Sequence, residues 1–155
     1  MKLRIVALGQ RMPAWVVAGF GDYARRLPRE FAVELIELKP GPRGRGNSVA
    51  KILAAEAERV AMATRGWMVI ALDERGEPWC TAQLAAGLRS WSNSGRPVAF
   101  VLGSADGLAA AIKRDADVVM ALSALTLPHG LARVVLVEQI YRAASLLRGH
   151  PYHRE

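Results

Sequence analysis

The stretch DVVMALSALTLPHG, residues 117–130, passes from a strand pattern through an apolar loop to the start of a helix. Asp117 to Ala121 is a short apolar run of the length a buried strand needs. Leu122, Leu125 and Leu127 would also suit a strand or a helix, and only Ser123 and Thr126 bring polar side chains. Pro128, however, has no amide hydrogen, and His129-Gly130 follows at once, so regular structure stops here. A buried loop leaves backbone N–H and C=O groups without ladder partners. Either another part of the protein or a ligand must satisfy them.

Outward from this stretch, strand and helix patterns alternate. Leu3 to Leu8 reads as a strand closed by Gly9, and Pro13 opens a helical pattern to about Leu27, with Trp15, Val16, Phe20 and Tyr23 at three- and four-residue spacing. Ala32 to Leu38 is a second strand, and Lys39 to Gly46 is a basic Pro/Gly/Arg loop. Asn47 or Ser48 can cap a helix to about Thr64. Trp67 to Leu72 is a buried strand ended by Asp73, and Thr81 is the expected cap of a helix stopped at Asn93-Ser94-Gly95. Pro97 to Leu102 is a further strand, with a short helix near Leu108 to Arg114 before the strand at Asp117. The last helix runs from about Gly130 to Leu147. Five strands alternating with helices mean an α/β domain, a mainly parallel sheet with helices on both faces.

With 155 residues the chain is expected to be a single domain, 1–155, able to bury roughly 70% of its unfolded surface. No apolar stretch is long enough for a membrane span, and Met1 to Val6 has no signal-peptide pattern. A single cysteine excludes an internal disulfide framework and fits a reducing, cytoplasmic setting, and one Cys with three His gives no structural zinc site. Cys80, beside Trp79, reads as a shielded bystander. Lys and Arg total 21 against 14 Asp and Glu, a net charge of +7. The basic clusters are Arg25–Arg29, Lys39–Gly46 and Arg148–Arg154, and together they favour a nucleic-acid partner over a merely soluble surface.

In open parallel sheets, ligands bind beyond the carboxyl ends of strands. Three such ends carry unusual sequences: Ala71–Gly76, Gly103–Gly107 and Leu122–His129. The second is neither a Walker A loop nor a Gly-x-Gly-x-x-Gly turn, and no Gly-x-Ser-x-Gly elbow exists. His129 suits either a functional role or a cap. The tail, Arg148 to Glu155, gathers Tyr152, His150, His153, Arg148 and Arg154, a set able to stack on a base, bond a phosphate and move a proton. A charged tail without a role is the alternative.

Leu122–His129, Arg133-Val134, Glu138–Ala143 and the terminal His150–Glu155 together resemble the RlmH family, SPOUT-class methyltransferases acting on N3 of a pseudouridine in large-subunit ribosomal RNA. The resemblance spans the chain from Met1-Lys2-Leu3 and Met12-Pro13-x-Trp15 to Glu155. It implies an S-adenosylmethionine-dependent, cytoplasmic homodimer with a C-terminal trefoil knot, the cofactor-binding part lying in roughly 67–147 and a substrate tail in 148–155. Cofactor contacts are implied at Leu72, Gly103, Leu122, Ser123, Ala124, Leu125, Thr126 and Leu127. Tyr152 or His153 would orient the base or take its proton, with Arg142 and Arg154 as phosphate or base contacts. Neither metal nor membrane is implied.

Gly103 is expected to be glycine because a Cβ would intrude on the ligand. The family's second glycine is here Ser104, which would be strained if the position needed positive φ. The apolar breadth of the last helix, from Leu131, Val134 and Val135 round to Ile140 and Leu147, suggests a partner surface. The rival readings are a non-catalytic basic RNA-binding module and an α/β enzyme of another nucleotide.

Overall fold

The computed structural model describes residues 1–153, except for the side chain of His153. In chain order the elements are β1 (Leu3–Leu8), α1 (Ala14–Arg26), β2 (Val33–Leu38), α2 (Val49–Ala63), β3 (Met68–Pro78), α3 (Thr81–Ser94), β4 (Val98–Leu102), α4 (Ala110–Asp115), β5 (Val118–Ala121) and α5 (His129–Leu147). Single 3-10 turns cover Arg29–Phe31 and Pro151–His153. The five strands form one parallel sheet in the order β2-β1-β4-β3-β5.

Central strands of such a sheet are covered twice, which is why β4 is continuously apolar and wholly buried. Alternate residues serve opposite layers. Ile5, Ala7, Ile70, Phe100 and Leu102 meet α1, α3 and α5, whereas Val6, Leu8, Ala71 and Val101 meet α2 and α4. The edge strand β2 is only partly covered, and its exposed residues Glu34 and Glu37 fall on opposite faces.

Local signals set several boundaries. Ser48 Oγ accepts the Lys51 amide at 3.2 Å and caps α2. Gly95 ends α3 with φ 67°. Thr81, however, is the first residue of α3 rather than its cap; its hydroxyl donates to Gln139 on α5 at 2.8 Å. The cap is Cys80, whose amide donates to the Gln83 side chain at 2.8 Å. Trp79 stacks on Trp91 and takes the buried side, leaving the Cys80 thiol exposed rather than shielded.

Strand β3 does not stop at Asp73. Its register against β5 shifts between Leu72 and Glu77, and pairing resumes as Glu77↔Met120 and Pro78↔Ala121. The intervening polar, Gly-containing segment looks like a turn in isolation. A ladder to a strand more than forty residues away carries it on, and Gly76 allows it: a Cβ there would lie 2.7 Å from the Met120 carbonyl carbon.

Helix α5 lies between α1 and α3, with Leu136, Val137, Ile140, Ala143 and Ala144 fully buried. Leu131, Val134 and Val135 are half-buried within the single chain, and Val134 faces Gly19 of α1. Packing on two flanking helices therefore accounts for part of the apolar breadth of α5. Arg133 enters the core with 2% of its side chain exposed, donating to Glu37 at 2.7 Å and to the Gly9 carbonyl at 2.7 Å. It anchors the start of α5 to the ends of β1 and β2. Only the Arg133 end of the pair is buried, Glu37 being 38% exposed.

Candidate functional site

At the carboxyl ends of β3, β4 and β5 lies a cavity of about 790 Å3. Its walls are Leu72–Arg75, Leu102–Leu108, Lys113, most of Leu122–His129 and Ala132. Leu72, Leu102, Leu108, Leu122 and Leu127 make it largely apolar; Asp73, Glu74 and Lys113 supply polar groups. The three strand-end loops singled out in the sequence thus converge on one space. Of the expected contact positions, Leu72, Gly103, Leu122, Ser123, Leu125, Thr126 and Leu127 line it, and Ala124 does not. Ser123 Oγ accepts the Leu125 amide at 2.9 Å, a hydroxyl turn that puts Ala124 at its apex, exposed.

The apolar loop is fastened by polar tips. Thr126 donates to Glu74 at 2.6 Å, tying it to the register shift in β3. Leu125 stands 75% exposed, a large apolar side chain without cover. Lys113 reaches Asp73 at 3.0 Å. Burial pushes the Asp73 carboxyl up, but hydrogen bonds from the Arg75 amide and Lys113, and their charges, hold it below the ordinary range. A depressed carboxyl stabilises the fold above its unfolded value, and the gain is lost as pH falls through the folded one. Stability is therefore expected to drop below about pH 4 by a share that Asp73→Asn removes, under about 1 kcal/mol for this partly exposed pair. Urea unfolding of the two proteins between pH 3 and 7 checks this; parallel curves would exclude a contribution from Asp73.

The loop after β4 departs from expectation twice. A Cβ on Gly103 would sit 2.5 Å from the Gly107 carbonyl carbon and 2.6 Å from its oxygen. Glycine is required because the loop folds onto itself, closed by the Gly107 amide to the Ser104 carbonyl at 2.9 Å, before any ligand is considered. Ser104 is not strained either. Among the described residues only Arg11 combines a side chain with positive φ, at 58°.

Instead, the Ser104 hydroxyl donates to Glu56 Oε2 at 3.1 Å. Glu56 is fully buried, and its other oxygen accepts the Gly41 amide at 2.9 Å. One carboxyl group so joins the basic loop after β2 to the glycine loop after β4. Ser104→Gly is consequently expected to lower stability by about 1–2 kcal/mol, through a lost buried bond and added chain entropy. It should also weaken cofactor-site binding. Thermal melting and calorimetry test both; an unchanged melting temperature would show the hydroxyl to be idle. In the sequence, Glu56 looks like a solvated helix residue. The available signal was its spacing, since Ile52, Glu56 and Val60 share one buried stripe.

Glu138 was likewise given no role by sequence reasoning, yet it organises the tail. Arg142 Nε donates to Glu138 Oε1 at 2.9 Å, and the Tyr152 hydroxyl donates to the same oxygen at 3.1 Å. The Tyr152 ring packs 4.6 Å from that of Tyr141, beneath the Arg142 guanidinium at 4.9 Å. Burial, the Tyr23 hydroxyl and the Glu138 carboxyl push the Tyr152 phenol far above its usual value. In this arrangement Tyr152 donates; it is not a base. Glu138 lies about 13 Å along α5 from His129, and neither Arg142 nor Tyr152 lines the cavity of its own chain. Arg154 and the His153 side chain lie outside the described residues.

His129, at the cavity edge, is pushed down by burial and by the Arg133 and Arg43 charges, so it is neutral at neutral pH. Arg11, in the turn after β1, holds a conformation that costs a non-glycine residue about 1–2 kcal/mol.

A family model described as "Predicted SPOUT methyltransferase" matches residues 1–153. The chain is 51% identical to the ribosomal RNA large subunit methyltransferase H of Nitrosospira multiformis, over 99% of each protein. It is 50% identical to the protein of that name from Burkholderia mallei, with the same coverage. Among solved structures, a probable methyltransferase from Bordetella pertussis aligns with a TM-score of 0.58 at 19% identity, covering 92% of this chain and 96% of that one. A probable methylase family protein from Haemophilus influenzae aligns at 0.59 with 14% identity, covering 99% and 70%. These two likenesses concern the fold.

Proposed function

The chain belongs to the SPOUT methyltransferase family, and on that premise we propose that it transfers a methyl group from S-adenosylmethionine to N3 of a pseudouridine in large-subunit ribosomal RNA. Full-length relatives at about half identity carry the name of a large-subunit ribosomal RNA methyltransferase, which supports the RNA class. The observation that carries the reading is the convergence of Leu72, Gly103 and Leu122–Leu127 on one cavity at the sheet's carboxyl edge. The family's knot, within roughly 67–147, belongs to this reading: the segment after β5 passes beside those after β3 and β4.

The residues present fit such a cofactor. Leucine walls suit the faces of an adenine, and the loop backbone, unpaired by any ladder, suits its polar edges. When bound, the cofactor supplies an electrophilic sulfonium methyl. The protein must align the acceptor nitrogen with it, exclude water and accommodate the N3 proton. Tyr152 is assigned to stacking on the target base, Arg142 and Arg154 to phosphate or base contacts, and His153 to the proton. Because Tyr152 and Arg142 lie away from their own cavity, a homodimer in which each tail serves the partner's cavity gives them a place to act. No metal is assigned a role. No described helix is long and apolar enough to cross a membrane, and the ribosomal substrate places the activity in the cytoplasm.

Methyl transfer from labelled S-adenosylmethionine to unmodified large ribosomal subunits, with the product nucleoside mapped, tests the proposal. Label on N3 of a pseudouridine is expected, with S-adenosylhomocysteine bound and ATP not. RNA binding without transfer would favour a non-catalytic module, and ATP binding would favour an enzyme of another nucleotide. Sedimentation should show a dimer at micromolar concentration; a stable monomer would remove the assignment of the tail to a partner.

A further inference from the structure

Beside the cofactor cavity, at the same edge of the sheet, lies a second cleft of about 430 Å3. It is formed by Gln10-Arg11 after β1 and Lys39–Arg43 after β2. We propose that this cleft binds the phosphodiester backbone of the RNA substrate and so seats the strand beside the base being methylated. The proposal rests on the methyltransferase reading above and extends it to a surface outside the cavity and the tail.

Three observations carry it. The first is charge gathered in a concavity. Some exposed arginines elsewhere are paired, Arg26 with Asp22 at 2.7 Å and Arg114 with Asp115 at 2.9 Å, and others such as Arg65 and Arg89 stand alone, among the described residues, on open surface. The cleft instead collects Arg11, Lys39 and Arg43 in one hollow. The cleft has no acidic residue in its lining, and among the described residues no hydrogen bond or ion pair engages the side chains of Arg11 or Lys39, both exposed. Uncompensated cations in a concave surface are the footprint of a polyanion, and releasing its counterions supplies the affinity.

The second is strain. Arg11 keeps a side chain at φ 58°, where glycine would be favoured and where the fold makes no use of the guanidinium. The cleft, not the core, is what that side chain serves. The third is construction. The basic loop is pinned rather than loose: Arg59 donates to the Lys39 and Pro40 carbonyls at 2.6 and 2.9 Å, and the Gly41 amide donates to buried Glu56. A cation on a pinned loop loses less freedom on binding than one on a mobile tail. Arg43 meanwhile bonds Asp106 at 2.6 Å, and Asp106 lines the cofactor cavity. Backbone cleft and donor cavity thus share a wall.

The test uses full-length Arg11→Gly and Lys39→Ala, singly and together, with Arg65→Ala, at the amino edge of the sheet, as control. Each is measured for S-adenosylhomocysteine affinity, for melting temperature, and for binding to the RNA-containing particle that the wild type methylates, across a salt series. The double variant is expected to bind RNA about tenfold more weakly at low salt, with the log–log salt slope reduced by about 0.7 per contact removed. Cofactor affinity should be unchanged, and Arg11→Gly should melt no lower than the parent. RNA affinity and slope equal to those of the wild type, in a protein that still methylates, would overturn the cleft while leaving the enzyme intact. A parallel loss of cofactor affinity would also overturn it, by showing that the loop acts through the neighbouring glycine loop. Absence of methyl transfer by the wild type would instead fail the underlying reading.

Discussion

Deletion of Tyr152–Glu155 is expected to reduce methyl transfer by about a hundredfold or more while leaving the fold and cofactor binding in place. The physical grounds are that, among the described residues, the deleted segment contributes Tyr152, packed on Tyr141 and bonded to Glu138, to the surface of α5. Losing these contacts costs about 1–2 kcal/mol of stability, a tolerable fraction of a domain's total. The chemistry, by contrast, loses every residue assigned to holding the base and its proton except Arg142. Single changes apportion the effect. Tyr152→Phe keeps the stacking face and removes only the bond to Glu138, so it should stay close to the parent, whereas Tyr152→Ala should be clearly slower. His153→Ala should flatten the pH dependence of the rate if His153 takes the proton. Normal single-turnover rates in the truncated protein would show that the base is held elsewhere.

Gly103→Val should weaken the binding of S-adenosylhomocysteine by up to about a hundredfold. The new Cβ would begin 2.5 Å from the Gly107 carbonyl carbon, well inside van der Waals contact with backbone. That backbone has little room to yield: Leu102 before it is buried at the end of β4, and Ser104 is tethered to Glu56. The loop must therefore open, displacing one wall of the cavity. Overpacking of this kind costs about 1–3 kcal/mol, and at the upper end that is about a hundredfold in affinity. Circular dichroism should remain that of the parent, since β4 ends before the change. Folded protein with full affinity would remove this loop from the cofactor site.

Much of the molecule was legible before its structure. The strand runs at Leu3, Pro97 and Asp117 and the helical spacing after Pro13 are local patterns, set by residues within a few positions of one another. They survive in the fold with boundaries moved by one or two residues. The apolar loop at 122–127 was legible for a related reason: Pro128 forbids continuation, and a buried loop implies a partner. Family motifs then led to the cavity wall, apart from Ala124, which a serine turn swings outward.

What only the tertiary structure decided is long-range pairing. The extension of β3 to Pro78 depends on β5, and the burial of Glu56 depends on two loops, at Gly41 and Ser104, that converge on one carboxyl group. The glycine at 103 is required by Gly107, whose backbone a Cβ would meet, a constraint invisible without the closed loop. Arg133 finds its acceptors on β1 and β2, and Tyr152 finds Glu138 by folding back along α5. A residue's own neighbours dictate its backbone preference, but whether a charged side chain is solvated or buried depends on which distant segment the sheet order sets beside it.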